Sequence, residues 1–156
     1  MKQSSAILWA VCLGYSMVIL DTSILNVALP SIAAESGASG VQQQWIIDAY
    51  VLVMTSLLLA GGGLIDRFGA KRVFNTGISI FALSSLACAL TNDASVLIIA
   101  RAIQGIGGAL LIPATLAIIV TFFTDAQERG KAIAIVATVT ASPQAFGPTL
   151  GGILVD

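Results

Sequence analysis

The sequence predicts an all-α membrane protein with five transmembrane helices. Three observations support this. The 156 residues are 57% hydrophobic, and the mean hydropathy is +0.97. Charged residues make up only 10%, against about 25% in an ordinary soluble domain. Apolar runs of about 20 residues, the length needed to cross a bilayer, recur five times. A soluble core of this size would need a polar surface that these residues cannot supply.

The first span covers 6–29, is interrupted by Asp21 and closes at Pro30. Its apolar region is too long for a secretory signal peptide, and only Lys2 forms a basic start, so it reads as an uncleaved span. A polar loop rich in Gly, Ser and Gln follows over 36–44. The second span covers 45–65, with Asp48 one turn inside its start, near the interface, where it is either solvated or functional. The third covers 73–91, and a short connection at 92–95 leads to the fourth, 96–122. The fifth covers 132–155 and is followed directly by Asp156, which reads as a truncated sequence or a fragment of a longer reading frame.

Loop charges set the expected orientation. Lys2 precedes the first span, Arg67, Lys71 and Arg72 lie between the second and third, and Arg129 and Lys131 lie between the fourth and fifth. The other two loops carry no basic residue. Cytoplasmic loops are enriched in Lys and Arg, so the N-terminus is expected in the cytoplasm, in a cell (inner or plasma) membrane. Trp9, Trp45 and the Phe122–Phe123 pair fall near the expected interfaces, as aromatic belts do.

Composition also narrows the function. No basic stripe is present, which argues against nucleic acid as a partner. Histidine is absent, and with it the commonest general base and metal ligand. Cys12 and Cys88 both lie in apolar runs and read as small buried hydrophobes rather than a disulfide or metal pair. With no Ser/Cys–His pair, carboxylate pair or metal cluster visible, the sequence does not read as an enzyme, and no cofactor is implied.

The glycines concentrate inside the spans, where close packing of small residues takes over from the hydrophobic effect. Gly105, Gly107, Gly108 and Ala109 give the fourth span a small face, and Gly61 to Gly63 do the same for the inner end of the second. Gly147 and Gly151 form a G-x-x-x-G with Pro148 between them and Gly152 beside it. With Pro143 one turn earlier, this half of the fifth helix is expected to be kinked or loosened. None of these glycine runs forms a nucleotide loop. Gly105 to Leu110 lacks the last Gly of G-x-G-x-x-G and follows no strand.

Asp21 and Arg101 carry the chemical interest. A charge at membrane depth costs roughly 2.5–3.5 kcal/mol on insertion scales, so it is kept where something compensates. Asp21 lies about eight residues below the outer end of its span, roughly 12 Å deep. Arg101 lies about six residues inside the outer start of the fourth, roughly 9 Å deep. The two can therefore pair. Desolvation favours the neutral acid of Asp21 and a nearby guanidinium favours its carboxylate. Arg101 itself stays charged. A group balanced in this way titrates when a conformational change alters either influence; a static ion pair that fixes helix register is the structural alternative.

Four motifs bear a family resemblance. Leu20-Asp21-Thr22-Ser23-Ile24-Leu25-Asn26-Val27-Ala28-Leu29-Pro30 resembles the pattern L-D-x-T-x-x-N-V-A-L-P of the first helix in the fourteen-span drug/proton antiporter branch of the major facilitator superfamily, with Ser23 in place of Thr. Gly62-Gly63-Leu64-Ile65-Asp66-Arg67-Phe68-Gly69-Ala70-Lys71-Arg72 resembles the superfamily's loop between helices two and three, with Ala70 replacing a common basic residue. Arg101-Ala102-Ile103-Gln104-Gly105-Ile106-Gly107 resembles the fourth-helix motif linked to proton transfer. Gly147-Pro148-Thr149-Leu150-Gly151-Gly152 resembles the fifth-helix antiporter motif, with Pro143 standing where that motif often has Gly.

This resemblance implies five helices of a six-helix N-terminal half, and a transporter that exchanges protons for small organic molecules or drugs. It implies that Asp21 and Arg101, with Asn26 and Gln104 of the same motifs, belong to the proton-coupling and substrate cavity. Gly62, Asp66, Arg67, Gly69, Lys71 and Arg72 are implied to form a cytoplasmic gating loop. Gly147, Pro148, Gly151 and Gly152 are implied to form the antiporter helix. In such families the substrate site lies between two halves. The expected partners are thus the lipid bilayer, protons, a small organic substrate, and a missing C-terminal half or another membrane chain. The alternative is a non-transporting truncated membrane protein whose small-residue faces bind other helices.

Overall fold

A computed structural model describes residues 2–155, with side chains for 6–34 and 36–141. Five helices follow one another: α1 (Lys2–Ser36), α2 (Gly40–Phe68), α3 (Ala70–Ala89), α4 (Ala94–Phe122) and α5 (Ala126–Val155). No strand occurs among the described residues. Among the described residues, four helices are long and apolar enough to cross a membrane, over Ala6–Ala34, Gly40–Phe68, Ala70–Ala89 and Ala94–Phe122. The expected fifth span extends past the described side chains.

The helix ends are set by local hydrogen bonding. Ser39 and Gln42 form a capping box, so α2 begins inside the loop expected over 36–44. The Asp93 carboxylate accepts from the amides of Ser95 and Val96 at 2.7 and 3.1 Å. Asp125 does the same for Gln127 and Glu128, both at 2.9 Å, so α5 starts six residues before the apolar run expected at 132. Only Gly69 separates α2 from α3. Its φ of +83° gives the reversal at no steric cost, and its amide donates to the Ile65 carbonyl.

Proline does not close α1 where the sequence suggests. Pro30 lies inside that helix, which runs one and a half turns further to Ser36. Membrane helices tolerate proline because neighbours and side chains satisfy the freed backbone groups. Pro113 lies inside α4 in the same way. It has no N–H to offer the carbonyl of Ala109, one turn back. Gly61 of α2 packs against that carbonyl, and a Cβ at Gly61 would stand 2.6 Å from the oxygen.

The core is organised around α4, which α2 and α3 flank closely while α1 packs chiefly on α5. Small residues permit this approach. A Cβ at Gly105 would lie 2.6 Å from the Tyr50 carbonyl oxygen of α2, and one at Gly107 would lie 2.8 Å from the Phe81 amide nitrogen of α3. Outward surfaces are apolar instead of polar, with Leu59, Leu83, Ile99, Trp9 and Trp45 all exposed. That inversion suits lipid and not water, so the chain is a multi-pass membrane protein.

Candidate functional site

Near the ends of α2 and α4 that face the α1–α2 and α3–α4 connections, four helices converge on one buried cluster. Arg101 and Gln104 stand three residues apart on α4 and therefore on one face. Both are buried, Arg101 at 2% exposure and Gln104 at 0%. From α1, Asp21 enters with a side chain 18% exposed. Arg101 Nη1 donates to Asp21 Oδ2 in an ion pair, and Gln104 Nε2 donates to Asp21 Oδ1 at 2.7 Å. The circuit closes because Arg101 Nη1 also donates to Gln104 Oε1 at 2.7 Å. Both carboxylate oxygens are thereby occupied, and the amide is oriented by its two neighbours.

Two further helices complete the shell. Arg101 Nε donates to the Ile46 carbonyl of α2 at 3.3 Å. The guanidinium carbon lies 4.3 Å from the ring centroid of Tyr50, one turn along α2. From α3, the Cys88 thiol donates to Gln104 Oε1 at 3.9 Å. The charge of Arg101 is therefore balanced by a carboxylate, an amide oxygen, a backbone carbonyl and an aromatic face. A buried pair needs this kind of additional hydrogen bonding to offset desolvation.

Sequence reasoning brings Asp21, Arg101 and Gln104 together, and the structure places them in contact. Asn26 is elsewhere: its side chain is exposed and donates to the Thr22 carbonyl at 2.9 Å on its own helix. Asn26 stands five residues after Asp21, or about 500° around the helix at 100° per residue, which turns it well away from the cluster. Asp48 is half-buried and makes no side-chain hydrogen bond or ion pair among the described residues. Ile46, Tyr50 and Cys88 are the members that motif reading overlooks. No motif marks Tyr50, and two residues beyond Asp48 it lies close enough to the interface to pass for a belt aromatic.

The α2–α3 turn is a contrasting site. Asp66, Arg67, Gly69, Lys71 and Arg72 are all exposed, and Gly62 is half-buried. Among the described residues Asp66 makes no ion pair with Arg67, Lys71 or Arg72. Among the described residues the Asp21–Arg101 contact is the one ion pair. The Arg67 guanidinium carbon lies 5.2 Å from the Phe68 ring centroid instead. An open cleft of about 860 Å³ lies beside the turn, lined by Ile7, Phe68, Lys71, Arg72, Phe74 and Phe122 among others. Gly147, Pro148, Gly151 and Gly152, with Pro143, lie outside the described side chains. Cys12 is buried and Cys88 half-buried, and both are free thiols.

A puromycin resistance protein of Streptomyces alboniger is 43% identical over 140 residues, covering 90% of this chain and 28% of that protein. A methyl viologen resistance protein of Salmonella typhimurium is 42% identical over 146 residues, covering 94% and 30%. A riboflavin transporter of Clostridioides difficile is 39% identical over 156 residues, covering 100% and 34%. The chain thus spans about a third of the length of these curated relatives. The family model described as Major Facilitator Superfamily matches residues 11–156. With five helices, an intramembrane carboxylate–guanidinium cluster and that match over nearly its whole length, the chain belongs to the major facilitator superfamily, whose members are transporters and not enzymes.

Proposed function

We propose that this chain forms the N-terminal part of a proton-coupled carrier that exports small organic molecules across the cell membrane, with its N-terminus in the cytoplasm. One observation carries the reading: among long apolar helices a carboxylate is paired with a buried guanidinium, a cation that keeps its proton. Resistance relatives favour export, because puromycin and methyl viologen are the compounds their names record. The riboflavin relative keeps the substrate class at small organic molecules without narrowing it.

In this scheme, protonation of Asp21 releases one partner of Arg101 and weakens the tie between α1 and α4. Loss of the proton on the other side restores it. A substrate that competes for the open edge of Asp21 is thereby exchanged against the proton. The second half, supplied by the remainder of the transporter or by another membrane chain, forms the opposite wall of the cavity. The α2–α3 turn, with Asp66, Arg67, Lys71 and Arg72, gates the cytoplasmic mouth, its exposed charges pairing across to that second half in one conformation. The glycine–proline segment containing Gly147, Pro148, Gly151 and Gly152 serves as the antiporter helix.

The test is Asp21→Asn in the whole transporter, reconstituted in proteoliposomes under an imposed pH gradient. Insertion is expected to survive, and substrate flux to stop responding to the gradient. Unchanged gradient-driven flux in the variant overturns the assignment.

A further inference from the structure

Tyr50 is fully buried on α2, yet its hydroxyl makes no hydrogen bond. A buried phenol ordinarily finds a partner for its O–H. What Tyr50 does offer is its ring, whose centroid lies 4.3 Å from the Arg101 guanidinium carbon. The ring end occupies a notch on α4: a Cβ at Gly108 would stand 3.1 Å from the hydroxyl oxygen and 3.1 Å from the Met54 sulfur. The chain therefore gives up a side chain at Gly108 and leaves a hydroxyl unsatisfied, and in return an aromatic face lies flat beneath a buried cation.

We propose that the face of Tyr50 is a second station for the Arg101 guanidinium, holding the cation in place when Asp21 accepts a proton and lets it go; the role presupposes the coupling function proposed for Asp21. Arg101 remains charged throughout. Once its carboxylate partner is neutral, the buried cation loses the one counter-charge it has among the described residues, which is unfavourable. Three contacts remain: the Ile46 carbonyl at 3.3 Å, Gln104 Oε1 at 2.7 Å, and the Tyr50 ring. None of them needs to change protonation for Asp21 to titrate. Of the three, the ring alone attracts a cation through its quadrupole without needing a directed hydrogen bond, so it tolerates the small reorientation that loss of the ion pair brings.

Few other groups face this site. α1 contributes Asp21, α2 contributes Tyr50, and α3 contributes the Cys88 thiol through Gln104. The charged residues of α5, namely Glu128, Arg129 and Lys131, lie beyond the far end of α4, roughly 30 Å along the helix from Arg101. Tyr50 is thus a positioning residue: it does not exchange the proton but sets how readily Asp21 takes one. The ring already touches Arg101 in the ion-paired state, but its removal costs more in the state in which Arg101 has lost its carboxylate, so protonation then needs a lower pH.

The readout is the protonated-carboxyl carbonyl band in infrared spectra of this chain in nanodiscs, assigned to Asp21 by its loss in Asp21→Asn. Its titration midpoint is compared among the wild type, Tyr50→Phe and Tyr50→Leu, and among chains carrying progressively fluorinated phenylalanine at position 50. Fluorination keeps the ring's shape and drains its face of negative charge, so folding is held constant even if Tyr50→Leu unfolds. Tyr50→Phe should leave the midpoint in place, because the hydroxyl has no partner to lose. Tyr50→Leu should move it toward acid by about one pH unit, and the fluorinated series should move it stepwise in the same direction. A midpoint indifferent to fluorination, or one moved equally by Tyr50→Phe and Tyr50→Leu, overturns the station while leaving Asp21 as the coupling acid. A carboxyl band at Asp21 that never titrates overturns both.

Discussion

The molecule carries charge in two places with opposite physics. At the Asp21–Arg101 cluster, three polar side chains from two helices hydrogen-bond one another inside an apolar bundle. At the α2–α3 turn, Asp66, Arg67, Lys71 and Arg72 crowd into seven residues, yet all are exposed and none is ion-paired among the described residues. Sequence proximity therefore does not make a salt bridge: two residues 80 positions apart form one and four near neighbours do not. Solvated charges at a helix end gain little from pairing, because water screens them and their long side chains lose entropy. A charge buried among helices has no such freedom and must be matched. The cluster is consequently where substitutions should hurt stability, and the turn is where they should not.

The sharpest contrast comes from Asp21→Ala, which strands Arg101. Leaving a buried charge unmatched costs about 3–5 kcal/mol, and the lower end is expected because the Ile46 carbonyl, Gln104 and Tyr50 remain. Unfolding in mixed micelles should register the loss. Gly105→Ala comes next. Its new Cβ would stand 2.6 Å from the Tyr50 carbonyl oxygen, where the neighbour is backbone and can yield only by moving α2. Overpacking of this kind costs about 1–3 kcal/mol. It also displaces the helix that supplies Ile46 and Tyr50, so the carboxyl titration of Asp21 should shift along with stability. A stability loss with an unmoved titration would separate helix packing from the cluster and weaken the link between them. Gln104→Leu should follow, at about 1–3 kcal/mol, by leaving one carboxylate oxygen without a donor. Gln104→Glu should be worse than Gln104→Leu, because it sets a second carboxylate against Asp21 at hydrogen-bonding range.

Most of the architecture is legible in the sequence. Long apolar runs, two intramembrane charges and glycine-rich faces specify a helical membrane bundle, and Arg101 with Gln104 can be read as one face from their spacing. The element ends are less legible. Pro30 reads as a terminator, but in a bundle its lost hydrogen bond is tolerated and α1 continues to Ser36. The polar residues from Ser39 to Gln44 read as loop because hydropathy sees only their polarity; the capping box of Ser39 and Gln42 makes them a helix start. Tyr50 and the Ile46 carbonyl escape for a different reason. Neither carries a charge or a motif letter, and a backbone oxygen has no sequence identity at all. Their place in the site depends on how closely α2 approaches α4, which Gly61, Gly105 and Gly108 permit.

The smallest expected effect lies at the turn and cuts the comparison most finely. Asp66→Asn removes an exposed carboxylate that no described cation pairs with. Stability should therefore change by no more than about 0.5 kcal/mol, as for surface substitutions away from specific contacts. Raising salt to 1 M, where the screening length falls to about 3 Å, should erase even that difference. The same salt jump should leave the cost of Asp21→Ala nearly unchanged, since a buried pair is shielded from counterions. If Asp66→Asn instead costs as much as Gln104→Leu, and the cost survives 1 M salt, then Asp66 is matched by a buried cation in the membrane-embedded protein. In that case the turn and the cluster obey the same physics, and the division drawn between them fails. If stability holds while gradient-driven flux in the whole transporter falls, the carboxylate works only against a surface it meets during the transport cycle, which is what a gate at the mouth requires.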